Sequence, residues 1–326
     1  FNGTVDFDPG TGTTNITSST STEVYFAKYS SNGDLVWANS IAGNQGMEGE
    51  SIAVDNSGNV YITGYLNGTA DFDPGSGTTN LTAAGDDIYF AKYDSNGNLV
   101  WAKNVGGSGS EAGLSIATDN SYIYLSGYFQ VTADFDPSSN TTNLTSNGEL
   151  DAFFAKYDTN GNLVWAKNIG GSSSDVGQTI IVDNSGNIFL TGRFYGTVDF
   201  DPGAGSTNLT AVENNDIFFA KYDSNGDLVW AKSIGGNGSD SATSISLDGS
   251  GNIYIGGTYS TNIDLDPGAA TSQFTCTGDR NLFLAKYSSV GAFIWGFSAG
   301  DDDDSWGSDV QDIEIDASDN VYISGS

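Results

Sequence analysis

Residues Phe90–Lys103 read FAKYDSNGNLVWAK: an apolar run, an Asn-Gly pair and a second apolar run that contains Trp101. An Asn-Gly pair supplies the positive φ angles of a tight β-hairpin turn, so the stretch predicts two antiparallel strands joined at Asn96-Gly97. Close copies recur along the chain, and each has a tryptophan at the same point. The five tryptophans are Trp37, Trp101, Trp165, Trp230 and Trp295.

The chain repeats a unit of about 65 residues five times. Upstream of each hairpin the sequence predicts two further strands, of which Ser51–Asp55 and Asn59–Gly64 are typical. The pair Ser57-Gly58 supplies the turn between them. Four antiparallel strands per repeat, stacked around an axis, describe the blade of a β-propeller. We therefore expect an all-β fold with five blades.

The ends of the sequence fall in the middle of a repeat. The chain begins between a second and a third strand, and residues 321–326 read as a second strand. We therefore expect a single propeller domain over residues 1–326, closed as a ring in which residues 310–326 and 1–42 share one blade. The alternative is that five repeats were cut from a longer array.

The composition excludes several classes of function. The net charge of −31 reflects a shortage of base, since 41 Asp and Glu face only 10 Lys and Arg. Such a surface repels nucleic acid and anionic membranes, and no apolar run is long enough to insert into a membrane. The sequence has no histidine, which excludes Ser-His-Asp catalysis and His-ligated zinc. Cys276 is the single cysteine and cannot form an internal disulfide.

A second repeated motif is Asp-Phe-Asp-Pro, which becomes Asp-Leu-Asp-Pro in the fifth copy. Alternate residues of an extended strand point the same way, so the two carboxylates can share one hard cation such as Ca²⁺. The alternative is that the aspartates accept backbone N–H bonds and cap a turn. The pairs are Asp6 with Asp8, Asp71 with Asp73, Asp134 with Asp136, Asp199 with Asp201, and Asp264 with Asp266.

Acidic residues also recur just before the first strands, at Glu50, Glu111, Asp175, Asp240 and, in the last copy, Asp309. They can form a ring of carboxylates that needs cations, or they can lie in solvated loops. A glycoside hydrolase also needs two carboxyl groups near one sugar. Because the repeated acids occur in every blade, such an enzyme would use the acids of the irregular fifth unit.

Departures from the repeat are the expected ligand-binding positions, on the face that carries the long connections. Arg193 replaces a tyrosine of other copies, and Arg280 precedes a third strand. Trp306 follows an acidic run that lengthens one connection. An aromatic side chain beside acids suits a sugar or a peptide. The alternative is an acidic loop whose tryptophan packs onto a blade.

The repeat resembles the bacterial β-propeller repeat called SBBP, on the motifs Asp-Phe-Asp-Pro-Gly, Phe-Ala-Lys-Tyr-Asp, Leu-Val-Trp-Ala-Lys and Asp-Asn-Ser-Gly-Asn-Val-Tyr. The resemblance implies a secreted or cell-surface protein, as in Bacteroidota, and no catalytic activity. The spacing of Ala91, Gly97 and Trp101 is also similar to the tryptophan-docking motif of quinoprotein propellers. That similarity implies that the five tryptophans pack between adjacent blades.

The sequence thus predicts a non-enzymatic, extracellular or cell-surface propeller that acts in adhesion or assembly. Its expected partner is a glycan or a protein at the long-loop face, with other modules or copies in a surface assembly, and Ca²⁺ is the expected stabilising ion. Nucleic acid and membrane insertion are not expected. The alternatives are a glycoside hydrolase and a passive spacer in a larger surface protein.

Overall fold

The computed structural model describes residues 1, 3–18, 23–300 and 308–325, and every regular element in them is a β-strand. The first eight strands are β1 (Thr4–Asp6), β2 (Asn15–Thr17), β3 (Val24–Tyr29), β4 (Leu35–Gly43), β5 (Met47–Val54), β6 (Val60–Asp71), β7 (Asn80–Tyr93) and β8 (Leu99–Gly107). The next ten are β9 (Ala112–Thr118), β10 (Tyr122–Phe129), β11 (Thr132–Asp134), β12 (Asn143–Thr145), β13 (Asp151–Asp158), β14 (Leu163–Ile169), β15 (Val176–Val182), β16 (Ile188–Asp199), β17 (Asn208–Tyr222) and β18 (Leu228–Ile234). The last eight are β19 (Asp240–Leu247), β20 (Ile253–Tyr259), β21 (Asn262–Asp264), β22 (Gln273–Thr275), β23 (Asn281–Tyr287), β24 (Phe293–Ala299), β25 (Val310–Ile315) and β26 (Val321–Gly325). Within these described ranges there is no helix that could cross a membrane.

Four sets of four antiparallel strands follow one another along the chain. They are β5 to β8; β9, β10, β13 and β14; β15 to β18; and β19, β20, β23 and β24. In each set the strands pair in chain order. The first set belongs to an eight-stranded sheet whose path is β12, β11, β8, β7, β6, β4 and β3, with β5 on β6. The predicted all-β, antiparallel repeat is confirmed.

A tight turn with a left-handed glycine joins the last two strands of each repeat. Gly97 has a φ of +82°, and its N–H donates to the Asp94 carbonyl over 2.9 Å. The Asp94 side chain supports the turn, because its Oδ1 accepts the N–H groups of Asn96 and Asn98. Gly33, Gly161, Gly226 and Gly291 are the equivalent glycines. The predicted tight turns at these glycines are therefore confirmed, although the asparagine before the glycine does not have a positive φ.

The connection between the second and third strands is a second hairpin, whereas we expected a long loop. Beyond the core, β6 and β7 remain paired, with Ala70 opposite Leu81. Thr69 and Thr82 face each other and share a hydroxyl hydrogen bond of 2.9 Å. Such cross-strand threonine pairs stabilise a short ladder. The same hairpin recurs as β1 with β2, β11 with β12, β21 with β22, and the outer ends of β16 and β17.

The chain divides into two compact units. Unit 1 comprises Phe1–Leu125, Phe129–Thr145 and Ala155–Ala166, and unit 2 comprises Ser126–Tyr128, Ser146–Phe154 and Lys167–Ser326. The core of unit 1 includes Phe72 and Tyr93, which have no exposed surface. The main core of unit 2 surrounds Phe219 and Tyr287. In a second cluster of unit 2, Ile313 of β25 packs with residues of β20 and β23.

Strands β25 and β26 form a two-stranded sheet, and β3 ends the path of the eight-stranded sheet. Strands β3 and β26 both carry exposed apolar side chains. These are Tyr25 and Tyr29 on β3, and Tyr322 and Ile323 on β26. Each complete set has a second strand paired with a third, which is the pairing that a closed ring requires of β26 and β3. Five blades, one domain and a closed ring remain predictions.

Candidate functional site

Each Asp-Phe-Asp-Pro motif begins the tip of the second hairpin, and its carboxylates bind the backbone of that tip. Asp71 Oδ1 accepts the N–H groups of Asp73 and Thr79 at 3.1 and 2.8 Å. Asp73 Oδ1 accepts the N–H of Gly75 at 2.8 Å. The same bonds occur in the other copies, with Asp6, Asp134, Asp199 and Asp264 in the first position and Asp8, Asp136, Asp201 and Asp266 in the second.

The aspartate pairs therefore cap turns, which is one of our two interpretations of the motif. In the part of the chain that the structure describes, there is no group of three or more His, Cys, Asp or Glu side chains that could hold a metal ion. Calcium binding by the pairs remains a prediction.

The middle residue of the motif joins the tip to the core. Phe72 is fully buried, and its carbonyl accepts the hydroxyl of Tyr93 over 2.9 Å. The other copies repeat this bond as Tyr29 to Phe7, Tyr157 to Phe135, Tyr222 to Phe200, and Tyr287 to Leu265. Sequence reasoning missed this bond, although the two motifs keep a nearly constant separation.

Buried carboxyl groups lie in pairs where one repeat passes to the next. One member stands at the start of a first strand and the other at the start of the core part of a third strand. The pairs are Asp87 with Glu111 in unit 1, and Asp151 with Asp175 and Asp216 with Asp240 in unit 2. All six side chains are at most 5% exposed. Sequence reasoning missed Asp87, Asp151 and Asp216, although an acid directly before the third strand recurs in the sequence.

In unit 1, Asp87 and Glu111 face a common point. A Cβ atom added to Gly106 would lie 2.8 Å from Asp87 Oδ1 and 3.0 Å from Glu111 Oε2. Glu111 Oε2 accepts the Gly107 N–H at 3.0 Å, and the Gln130 N–H also favours the charged carboxylate, but Oε1 has no hydrogen bond of normal geometry among the described residues. Burial is the main cause that raises the pKa of Glu111 to about 7, and the charge of Asp87 adds to it.

The pair Asp151 and Asp175 in unit 2 is fully hydrogen-bonded. Asp151 accepts the Ser146 hydroxyl at 2.9 Å, the Asn147 N–H at 3.0 Å and the Asn168 amide at 3.4 Å. Asp175 accepts the N–H groups of Gly171 and Tyr195 at 2.7 and 2.9 Å. Burial raises the pKa of Asp175 to about 6, and these two hydrogen bonds oppose the rise. Each carboxylate therefore has donors that compensate its removal from water.

The pair Asp216 and Asp240 in unit 2 has fewer donors. Asp216 Oδ2 accepts the Val212 N–H at 3.1 Å, and Asp240 Oδ2 accepts the Gly236 N–H at 2.9 Å. The Oδ1 atoms of both side chains are buried without a partner in the described ranges. Burial raises the pKa of Asp216 to about 6. Burial and then the charge of Asp216 raise the pKa of Asp240 to about 8.

Two of the acids that we grouped with Glu111 lie at other positions, so the five acids are not equivalent, as a ring of repeated carboxylates would require; the other interpretation was solvated loops. A β-bulge interrupts β5 after Gly49 and β19 after Ala242, and counting back from it gives Met47 the place of Asp240. Glu50 lies at the bulge itself and is exposed. Asp309 is half-buried, and its Oδ2 accepts the Gln311 side-chain amide over 2.6 Å.

Of the three residues that we expected to bind a ligand, Arg193 and Arg280 lie among the described residues, and they lie at different strand sets. Arg193 is half-buried in β16, where it pairs with Val176 and Ile217. Arg280 is exposed in the irregular segment before β23. Trp306 and the acids at 301–304, on which the hydrolase alternative depends, lie outside the described residues.

Tryptophans of the repeated hairpin contact the turn of the following repeat. In unit 1, Trp37 Nε1 donates to the Ser95 carbonyl over 3.2 Å, and a Cβ on Gly97 would lie 3.1 Å from the Trp37 ring. Trp101 donates in the same way to Thr159, and Trp230 in unit 2 lies against Gly291. Trp165 and Trp295 occupy the equivalent places in β14 and β24. A docking role between blades remains a prediction for all five.

A cavity of about 530 Å³ lies beside β3 and β5 in unit 1. Its apolar wall includes Val24 and Phe26, and its acidic lining consists of Glu23, Glu48 and Glu50. Glu50 keeps an exposed side chain, but partial removal from water beside the cavity, and then the charge of Glu48, raise its pKa. The cavity borders the edge of β3 that does not pair with β4. In a complete set, the second strand pairs with this edge of the third strand.

Two curated proteins are similar to this chain. An uncharacterised WD repeat-containing protein of Acanthamoeba polyphaga mimivirus is 25% identical over 361 residues, which cover 94% of this chain and 26% of that protein. The regulatory protein FlaEY of Caulobacter vibrioides is 23% identical over 195 residues, which cover 60% of this chain and 20% of that protein. The chain thus spans about a quarter and a fifth of the curated relatives it matches.

Two solved structures are also similar. A protein of unknown function from Bacteroides caccae has 10% identity and a TM-score of 0.23, with 73% of this chain and 93% of that chain covered. The extracellular domain of a putative hybrid two-component system from B. thetaiotaomicron has 12% identity and a TM-score of 0.25, with 94% and 39% covered.

The family model of the SBBP beta-propeller repeat matches two segments, residues 25–73 and 164–193. The first contains a whole hairpin with its tryptophan, the following first and second strands, and an Asp-Phe-Asp motif. The second begins in a repeated hairpin strand and ends in the second strand of the next repeat. Residues 25–73 and 164–193 of the chain therefore match the SBBP beta-propeller repeat.

Proposed function

We propose that the chain is a non-catalytic propeller module of the cell surface or the extracellular medium that binds a glycan or a protein. The observation that carries the proposal is the use of the repeated acids. In the described copies the Asp-Phe-Asp-Pro carboxylates accept hydrogen bonds from their own turns, so they serve the scaffold. The extracellular setting rests on the resemblance to the SBBP repeat.

The proposed form of the module is a closed ring of five blades. In it, β25 and β26 supply the first two strands of the blade whose last two are β3 and β4. This pairing would cover the exposed Tyr25 on β3 and the exposed Ile323 on β26. It would also occupy the cavity beside β3, so we place the ligand elsewhere.

The proposed ligand positions are those that depart from the repeat, namely Arg193, Arg280 and Trp306. Arg280 is exposed, and arginine and tryptophan are the side chains that contribute most to binding surfaces. Because the net charge is −31, a strongly anionic ligand would be repelled over most of the surface. A neutral glycan or a peptide fits this balance, and other modules or copies would be neighbours in a surface assembly.

A glycan and peptide array probed with the purified chain tests this function. We expect retention on a subset of glycans or peptides and a loss of about tenfold in affinity for Arg280→Ala or Trp306→Ala. Lys167→Ala is the matched control that removes a charge outside the proposed set. Cleavage of a retained glycan would identify a hydrolase instead, and a folded chain that binds nothing would be a passive spacer.

We further propose that calcium stiffens the hairpin tips at the Asp-x-Asp pairs. The turn bonds use the Oδ1 atom of each aspartate, and the Oδ2 atoms are the proposed ligands. A specifically bound ion raises the unfolding midpoint by mass action. A midpoint that rises with Ca²⁺ after EDTA treatment, and not with Mg²⁺, and that rises by less in Asp71→Asn, which alters one of the five pairs, would support the proposal. The same response to calcium in Asp71→Asn and the unmodified chain would refute it.

A further inference from the structure

The carboxylates of Asp216 and Asp240 lie buried together in unit 2 with two oxygen atoms left over. Asp216 is 3% exposed and Asp240 has no exposed surface. Within the ranges that the structure describes, neither Oδ1 atom has a hydrogen-bond partner. A buried carboxylate oxygen without a donor is strongly destabilising unless a cation or a proton compensates it.

Comparison with the pair Asp151 and Asp175 shows which hydrogen-bond donors the pair Asp216 and Asp240 lacks. At the offsets from Asp216 that correspond to the donors of Asp151, the sequence has Ala211, Val212 and Ser233 in place of Ser146, Asn147 and Asn168. Only the main-chain donor is kept, as the Val212 N–H. Tyr195 donates its N–H to Asp175 over 2.9 Å, whereas the equivalent Ser260 N–H donates to the Ser239 carbonyl over 3.2 Å and is the weakest of the influences on the pKa of Asp240, which it lowers. One pair is therefore saturated with donors and the other is not.

The two unsaturated carboxylates share a small space next to Gly235 and Gly236. The Gly236 N–H donates to Asp240 Oδ2 and also stabilises the charged form of Asp216. A Cβ atom on Gly235 would lie 2.3 Å from Asp216 Oδ1, so a side chain at this position would collide with the unpartnered oxygen. The charge of Asp216 in turn acts on Asp240. A single ion in this space would neutralise both charges.

We propose that one Ca²⁺ ion binds between Asp216 and Asp240, with the two Oδ1 atoms among its ligands. Two carboxylates match the charge of a divalent ion, and hard oxygen ligands suit Ca²⁺. Backbone carbonyls and water complete the shell. Mg²⁺ fits less well, because it demands an octahedral shell and gives up its water reluctantly. This site is separate from the Asp-x-Asp tips and does not depend on the proposed function.

The direction in which one substitution changes the stability of the chain, with and without Ca²⁺, tests the site. In EDTA, Asp216→Asn removes an uncompensated buried charge, so we expect it to unfold at a higher urea concentration than the unmodified chain. In millimolar Ca²⁺ the order reverses, because the variant has lost a ligand. Titration calorimetry of the full chain with CaCl₂ should show Ca²⁺ affinity falling by about tenfold or more in Asp216→Asn and Asp240→Asn.

Asp151→Asn is the matched control, since it alters the saturated pair. We expect it to lower the unfolding midpoint by the same amount in EDTA and in Ca²⁺. An order of stability that does not reverse would overturn the site and indicate a proton shared by the two carboxyls. A calcium response that survives Asp216→Asn and disappears in Asp264→Asn would overturn it in favour of the hairpin tips, while the proposed ligand-binding function would stand.

Discussion

Replacement of Glu111 by glutamine should change the pH dependence of stability. Glu111 has no exposed surface, and its Oε1 lacks a partner in the described part of the chain. Its pKa is raised from 4.5 to about 7, chiefly by burial. Between these two pH values the unfolded chain has released the proton and the folded chain retains it. The stability linked to this proton is therefore complete below pH 4.5 and is lost as the pH rises through about 7.

The rise in pKa corresponds to about 3 kcal/mol, since each pH unit is worth about 1.4 kcal/mol. Glutamine keeps the shape and an oxygen for the Gly107 N–H but does not titrate. Urea unfolding of both proteins between about pH 5 and pH 9 measures the effect. As the pH rises across this range, we expect the free energy of unfolding of Glu111→Gln to increase by about 3 kcal/mol relative to that of the unmodified chain.

The exposed Asp227→Asn is the control, because it also removes one acid but leaves the buried carboxyl pair intact. Parallel profiles of Glu111→Gln and the unmodified chain would refute the reasoning. They would mean that Glu111 is ionised at no cost in the folded chain, so that a donor or a cation compensates it.

Two further predictions concern packing. Gly97→Ala and Gly33→Ala both place a side chain at a positive φ, which costs roughly 1–2 kcal/mol, but only at Gly97 would the new Cβ approach the Trp37 ring. Gly97→Ala should therefore lower the free energy of unfolding by about 1–3 kcal/mol more, and equal effects in urea titrations would contradict the packing of Trp37 on this turn. Tyr93→Phe should cost about 1 kcal/mol or more, because it leaves a buried carbonyl without its donor. Tyr29 is half-exposed, so Tyr29→Phe should cost less free energy of unfolding than Tyr93→Phe in urea titrations. The reverse order would contradict the role assigned to burial.

Local turn chemistry made the repeat predictable. Asn96-Gly97 predicts a tight turn from its own two residues, and the structure has a tight turn there with a φ of +82° at Gly97, although the φ of Asn96 is not positive. The capping role of Asp71 was also within reach, since its hydrogen-bond partners lie two and eight residues away. Such features depend on a few neighbouring residues.

The buried carboxyl pairs could not be predicted from the sequence, because they depend on how the strands assemble. Asp87 belongs to β7 and Glu111 directly precedes β9, and only the folded sheets bring both to the point beside Gly106. Grouping Glu50 with the other acids failed for the same reason, because the bulge after Gly49 decides which residue faces inward. The recurrence of an acid at Asp87, Asp151 and Asp216 was the available signal.

The closed five-bladed ring is the central claim, because a rigid binding module depends on it. Hydrogen exchange at the backbone amides of β3 and β26 tests it directly. The internal standard is β20 with β23, a second strand that is paired with a third strand in the structure. We predict that the amides of β3 that do not bond to β4, and their partners in β26, exchange as slowly as those of the standard. Fast exchange in β3 and β26, with slow exchange in β20 and β23, would contradict closure and identify the chain as part of a longer array.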